Sequence, residues 1–519
     1  MCHACAMAAL AALSVLLGPR RPCRPRAAHG TLSHLPGLRR LLQTEDEGQR
    51  AMAEEAPSPY TGCGSAVGSE VGPAARGRVL VQHAGAMAAA NAGTIVGLAL
   101  GWSSAAAEVL DGAQGMPVTL DEWSWVVSLF CVGASVGAAS VGRLVHSLGR
   151  KTVILAVGPV TIVAWALHLW ASSVWMLYAG RLLVGAACGA ACVATPIFVC
   201  EMSEPRIRGA LSSYFEILLC VGILVVYVFG KLLPVLWLNV ACLAVSVLHI
   251  LGFMWFPDTP RWFLLRGREE DAKKALLFYR GPHYDVDAEL ALLKVGVKES
   301  AATPAGWKAF GTRAAKKALA ITMVLMILQQ ITGVNAITFY ASQLFKETGS
   351  FDAYTASIVV AAVEVVSGGV SMFFVDTLGR RALLTFSSVC MAACTGLMGG
   401  YFYFKEFLGR DVSSVSWLPI ILVCVYMFTF TTGWGAVVWV FLGEIFPDNI
   451  KGVATAACAA TGWCASFLVT KFYPGVAAEL GNYVCYWGFF ALGVLSCVFV
   501  VLALPETKGK TLDEVQAEL

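Results

Sequence analysis

Residues 325–340 read L-M-I-L-Q-Q-I-T-G-V-N-A-I-T-F-Y, inside an apolar run that begins after Lys316-Lys317 and is long enough to cross a bilayer. Three amides, Gln329, Gln330 and Asn335, sit where hydrocarbon is expected. An amide without a partner in an apolar medium costs roughly 2–7 kcal/mol. Polar residues inside a membrane therefore face a protein interior or a water-filled path. On a straight helix Gln330 and Asn335 point about 140° apart. Gly333 lies between them, and the pattern predicts a helix that loosens there, as discontinuous transporter helices do around a site.

The rest of the composition agrees. Of 519 residues, 57% are hydrophobic and 14% charged, whereas soluble domains carry about a quarter charged residues. This is the signature of an all-α, polytopic membrane protein whose first partner is the lipid bilayer. A net charge of +3 offers no basis for a nucleic-acid partner. The 17 cysteines are scattered, mostly through apolar runs, and read as packing residues. Cys2-His3-Ala4-Cys5 lacks the second pair that a zinc site needs, so neither a metal nor a cofactor is expected. No nucleotide-binding or nucleophile motif points to an enzyme.

Residues 1–76 read as a non-globular leader. The apolar run Met7–Leu17 is too short to span, and the basic cluster Arg20, Arg21, Arg24 and Arg26 follows it rather than precedes it. From Val79 onward twelve apolar runs of spanning length follow: 79–103, 122–145, 152–171, 175–199, 209–230, 233–256, 318–341, 353–376, 382–404, 417–443, 452–473 and 483–504. The expected organisation is an N-terminal six-helix half (77–256), a polar linker with short amphipathic helices such as Glu269–Arg280 (257–317), a C-terminal six-helix half (318–504) and a tail (505–519). Lys and Arg concentrate in the even-numbered loops, which places those loops and both termini in the cytoplasm.

Three motifs recur in the same order in each half. Leu148-Gly149-Arg150-Lys151 is echoed by Leu378-Gly379-Arg380-Arg381. Glu201–Gly209 is echoed by Glu444–Gly452, and Phe256-Pro257-Asp258-Thr259 by Leu504-Pro505-Glu506-Thr507. The nearly constant spacing implies a parallel duplication with a site between the halves. The motifs put Arg150, Glu201, Arg208, Asp376, Arg380, Arg381 and Glu444 at cytoplasmic helix ends. Basic residues alone would serve topology, so the recurring acids point to a gate, in which pairs between the halves lock the inner mouth in one state.

These motifs carry a resemblance. Gly142–Lys151 (G-R-x-x-x-x-x-G-R-K), Glu201–Gly209 (E-x-x-x-P-x-x-R-G), Pro257–Trp262 (P-D-T-P-R-W), Gln329–Asn335 (Q-Q-I-T-G-V-N) and Pro505–Thr511 (P-E-T-K-G-K-T) together resemble the sugar porter branch of the major facilitator superfamily, over about Val79 to Leu519. Gly97–Ser104, Asp121–Trp125 and Arg280–Val286 are similar to insect facilitated trehalose transporters and class III animal glucose transporters. The resemblance implies the major facilitator fold and alternating access around a midplane sugar. It implies that Gln329, Gln330 and Asn335 bond sugar hydroxyls, that Trp439 on the tenth span stacks near the sugar, and that Arg181 lies near the inner end of the fourth span.

Three positions depart from the resemblance. Glu216 stands where a sugar-binding Gln is usual, and Glu364 where an Asn is usual. Counted from Arg208 and Asp376, they lie about 12 and 18 Å into a core of about 30 Å, near the midplane. Such acids can bond hydroxyls, exchange protons or meet a cation. Third, Gly433–Trp439 (G-W-G-A-V-V-W) lacks the prolines the resemblance places there, which predicts a stiffer tenth span unless Gly433 and Gly435 substitute. Ala99 occupies the first-span position at which proton-coupled sugar porters carry an acid. The expected function is facilitated transport of trehalose or a hexose across the plasma membrane. Proton symport through Glu216 or Glu364, and transport of a cationic or other non-sugar solute, are the alternatives.

Overall fold

Lipid offers a backbone no water to bond, so each apolar run must satisfy its own amides within a helix. The chain follows this rule throughout the computed structural model, which describes residues 78–107, 118–302, 310–348 and 352–508, with 510, 514, 515 and 518. All of them belong to one unit, Ala66–Leu519. The expected leader, 1–76, lies outside the described residues, as does the side chain of Asp376.

The first half comprises α1 (Val79–Ala105), α2 (Leu120–Leu148), α3 (Arg150–Leu169), α4 (Val174–Met202), α5 (Arg208–Leu232) and α6 (Val235–Phe253). Three short helices follow: α7 (Pro260–Leu265), α8 (Glu269–Arg280) and α9 (Val286–Ala302). The second half starts with α10 (Arg313–Ile331), α11 (Val334–Phe339) and α12 (Ala341–Thr348), then α13 (Ala353–Leu378) and α14 (Arg380–Phe402). It closes with α15 (Leu418–Phe430), α16 (Ala436–Ile445), α17 (Asp448–Leu480) and α18 (Asn482–Ala503). Among the described residues, twelve stretches are long and apolar enough to cross a membrane, and no strand occurs. Bulky apolar side chains such as Trp175, Trp237, Phe373 and Leu502 point outward, which suits a surface wetted by lipid.

Local sequence explains where helices start and touch. Thr119 and Glu122 form a reciprocal capping box at the start of α2. In α8, Glu269, Glu270 and Asp271 fill the first turn and Arg280 the last, matching the helix dipole at both ends. Helices α2 and α4 meet backbone to backbone. A Cβ built on Gly133 would lie 2.1 Å from the Leu182 carbonyl oxygen, on Gly137 2.0 Å from that of Ala186, on Gly185 2.1 Å from that of Phe130, and on Gly189 2.0 Å from that of Ala134. This is small-residue packing, which lets membrane helices approach closely where no hydrophobic effect drives them together.

Replacing Gly137 by Leu forces those backbones apart. Overpacking of this kind costs about 1–3 kcal/mol, so the variant is expected to show a lowered thermal midpoint and a reduced monodisperse fraction in detergent. A midpoint equal to the wild type would show that the contact is not close.

Candidate functional site

The seventh span does break where the sequence loosens it. α10 ends at Ile331, Gly333 takes φ +110°, and α11 restarts at Val334. A side chain is strained at that φ, and a Cβ there would lie 2.9 Å from the Phe489 ring. The break leaves carbonyls without helical partners, and side chains take them up. Thr332 Oγ1 donates to the Gln329 carbonyl (3.2 Å), Asn335 Nδ2 to the Gln330 carbonyl (2.9 Å) and Tyr426 Oη to the Thr332 carbonyl (3.1 Å).

The three amides form one chain. Asn335 Nδ2 donates to Gln330 Oε1 at 2.9 Å, Gln330 Nε2 to Gln329 Oε1 at 3.1 Å, and Gln329 Nε2 to the Trp434 backbone carbonyl at 2.7 Å. The tenth span is not a uniform α-helix there: residues Thr431–Gly435 form a π-helical turn between α15 and α16. The expectation of a stiff tenth span is therefore corrected. Without proline, Gly433 and Gly435 allow the wider turn, and Gly433 packs closely on Ser387. Trp434 is fully buried, with Nε1 donating to Ser388 Oγ at 2.8 Å. Nothing in the sequence singled out its carbonyl, because a backbone acceptor has no residue signature. Trp439 is half-buried on α16, one turn past Gly435 and near its face.

Glu216 on α5 reaches this turn: a Cβ on Gly435 would lie 3.8 Å from Glu216 Oε1. Glu364 on α13 is 4% exposed. One turn further along α13, Gly368 faces Cys220 and Ile217 of α5, and Cys220 is within electrostatic reach of both carboxylates. The Lys231–Asp352 pair joins the end of α5 to the start of α13, so the helices run antiparallel. Glu216 and Glu364 thus lie on opposite sides of the Cys220 level, within electrostatic reach of each other. Among the described residues neither carboxylate has a hydrogen bond or an ion pair.

The recurring motifs converge at the far ends of the helices. In the first half, Arg150 Nη2 donates to Glu201 Oε1 at 2.9 Å and Thr259 Oγ1 to Glu201 Oε2 at 2.6 Å. In the second, Arg380 Nη2 donates to Glu444 Oε1 and Thr507 Oγ1 to Glu444 Oε2, both at 2.6 Å. Glu506 accepts the backbone N–H groups of Arg380 (3.0 Å) and Arg381 (3.1 Å), capping α14. Asp258 lies in the same position against Gly149. Burial pushes its carboxyl above the usual range, against the pull of the Thr259 and Lys151 backbone N–H groups. Arg381 otherwise bonds the Val501 carbonyl, and Arg208 reaches the Ser203 carbonyl at 3.5 Å. The pairs Arg150–Glu201 and Arg380–Glu444 both close within their own half, where pairs between halves were expected. The reason is geometric: three motifs of one half fold onto a single glutamate. Asp376, named for this network, has its side chain outside the described residues.

Between the halves, Ser135 Oγ donates to the Ala460 carbonyl (3.0 Å) midway along α2, and further contacts gather at the opposite ends. Ser103 Oγ donates to the Phe339 carbonyl (3.0 Å), Ser342 Oγ to the Ser104 carbonyl (2.7 Å) and Tyr227 Oη to the Thr338 carbonyl (2.7 Å). Lys471 pairs with Asp121 at 2.7 Å and Lys231 with Asp352 at 2.9 Å.

The sequence profile of the family "Sugar (and other) transporter" matches residues 81–519. The chain belongs to this family. It is 34% identical over 450 residues to the facilitated trehalose transporter Tret1 of Polypedilum vanderplanki, covering 85% of this chain and 88% of that one. Against the Bombyx mori Tret1 it is 34% identical over 430 residues, 82% and 84% of the two chains. The fold is that of the Escherichia coli xylose transporter XylE in an inward-open conformation, with a TM-score of 0.70 at 22% identity, over 83% of this chain and 98% of that one. The XylE proton:xylose symporter bound to 6-bromo-6-deoxy-D-glucose superposes with a TM-score of 0.69 at 22% identity, over 84% and 99%. The protein is thus a multi-pass membrane protein of the major facilitator fold.

In this family member Arg181 belongs to the fourth span. It lies seven residues into α4, at the end opposite Glu201. It is fully buried, donating to the Val126 carbonyl (3.1 Å) and the Ala99 carbonyl (2.9 Å), with its guanidinium over the Trp102 and Phe130 rings. Ala99 offers no carboxylate, so the arginine takes that residue's backbone instead.

Gly333→Ala is expected to impose a left-handed strain of about 1–2 kcal/mol and to misplace Asn335. Thermal midpoint and transport should fall together. A variant with an unchanged midpoint would show that the break does not depend on glycine.

Proposed function

We propose that the protein is a facilitative sugar transporter of the plasma membrane, working by alternating access, with both termini in the cytoplasm. The moving bodies are residues 77–256 and 318–504, joined by the 257–317 linker, with 505–519 as a cytoplasmic tail. The observation that carries the reading is the broken seventh span, whose amide chain Asn335–Gln330–Gln329 ends on the opened backbone of the tenth span. A polyol presents many hydroxyls that both donate and accept, and such an amide row can meet them.

Gln329, Gln330, Asn335 and Trp439 bind the sugar from the second half, and Glu216 from the first; Glu364 lies at the outer end of the same site. The cross-half bonds of Ser103, Ser104, Tyr227, Lys231 and Lys471 hold the outer mouth closed, so this is an inward-facing arrangement. The charge clusters at Glu201 and Glu444 brace the inner helix ends of each half as rigid units. The relatives' names make trehalose the first sugar to test, with hexoses next. Ala99, bonded by Arg181 through its carbonyl, supports uniport over proton symport, because the position holds no titratable group.

Two measurements test this. Saturable uptake of trehalose or a hexose should be unaffected by external pH and by a protonophore. Accumulation driven by a proton gradient would overturn uniport. A Ser104→Cys, Ser342→Cys pair should lose uptake on oxidation and recover it on reduction, since transport needs that seal to open. Full uptake by the oxidised, cross-linked protein would sink alternating access at this mouth.

A further inference from the structure

The central site holds carboxylate oxygens that no donor among the described residues meets. Each amide nitrogen of the chain is turned onto a neighbour: Asn335 onto Gln330, Gln330 onto Gln329, and Gln329 onto the Trp434 carbonyl. Asn335 Oδ1 and the oxygens of Glu216 and Glu364 accept nothing among the described residues.

The carboxylates flank this chain. Glu216 lies against Gly435, the neighbour of the residue that accepts from Gln329. Glu364 lies within electrostatic reach of Tyr227, whose hydroxyl bonds the Thr338 carbonyl, one turn from Asn335. Glu364 is 4% exposed and Glu216 is half-buried, and a buried carboxylate is costly unless it takes a proton or a cation meets it.

The protein's own cations near the membrane interior bond groups other than these two carboxylates, and Arg181 Nη2 has no partner among the described residues. Arg181 donates to the Val126 and Ala99 carbonyls and stacks on aromatic rings. Lys231 pairs with Asp352, and Lys471 with Asp121.

We propose that the site accepts sugars bearing a protonated amine, with the ammonium held by Glu364 and the ring hydroxyls by the amide chain and Glu216. An ammonium carries three donors and no acceptor. It therefore complements the unpartnered carboxylate oxygens of the pocket, and its hydrogen bonds to a carboxylate are charge-assisted. This rests on the sugar-transport reading and narrows its substrate class.

The test is uptake and current in voltage-clamped oocytes at mildly acidic pH, with D-glucosamine, N-acetyl-D-glucosamine and D-glucose, on protein shown to be at the surface. Glucosamine is expected to evoke a saturable inward current of one charge per molecule, while glucose uptake carries none. The ratio of glucosamine to glucose uptake is expected to fall by about tenfold or more in Glu364→Gln, the loss of one charge-assisted contact. Transport of glucose without preference for glucosamine over its N-acetyl form overturns the inference and leaves sugar transport standing. So does a ratio that is unchanged in both Glu364→Gln and Glu216→Gln. A glucose-evoked current that grows at acidic pH and vanishes in either variant assigns the carboxylates to protons and likewise overturns it. Uptake of no sugar removes the transport reading and this inference together.

Discussion

A backbone inside lipid must have every polar group satisfied by protein, and the structure turns on one place where a helix cannot do so alone. At Gly333 the seventh span breaks, and Thr332, Asn335 and Tyr426 take up the freed carbonyls. The same break swings Asn335 back over Gln330, which no straight helix would do. The defect and the amide chain are thus one feature: the repairs to the backbone are what align the amides.

The contacts sort by strength in a way that suits two states. The bonds that join the halves are mostly hydroxyls on carbonyls, each worth about 0.5–1.5 kcal/mol net. A handful of them amounts to the few kcal/mol that separate conformers able to exchange. The charge clusters are different. Arg150 and Glu201 are 9% and 11% exposed, and removing one partner of a buried pair costs about 3–5 kcal/mol. Such clusters are poor hinges and good braces. Each ties the end of one helix hairpin to the segment leaving its half, through Thr259 in the first half and Thr507 in the second. The weak bonds therefore lie where the halves separate, and the strong ones where each half must stay whole.

Much of this was legible in the sequence. Spanning runs are written in composition, and the observed helices begin and end within a few residues of the apolar limits for most spans. The linker helix Glu269–Arg280 is read to its bounds from amphipathic spacing and end charges. The break at Gly333 is readable because only glycine resolves the conflict among three amides on one helix. Other features depend on relations that a linear pattern does not carry. Which acid meets Arg150 is decided by how the hairpins fold, and local charge runs name the residues without naming the partners. The end at which Arg181 lies follows from counting residues along α4 from Val174. The π-turn at Thr431–Gly435 arises where proline was the expected disruptor, so the absence of proline suggested stiffness.

That π-turn shows why the outcome is the same without proline. Proline opens a helix by removing a donor; a π-turn opens it by shifting the bonding pattern by one residue. Either way the regular helix is interrupted at the depth of the seventh-span amides, and here Gln329 bonds the Trp434 carbonyl. Both spans belong to the second half, so their shared contact does not have to break when the halves rock. Glu216 comes from the first half and meets the same turn from across the interface. Under the proposed function, a ligand in this site meets a preassembled row on one side and, on the other, a group that approaches or withdraws. That arrangement lets its presence be felt as a change in the balance between the two states.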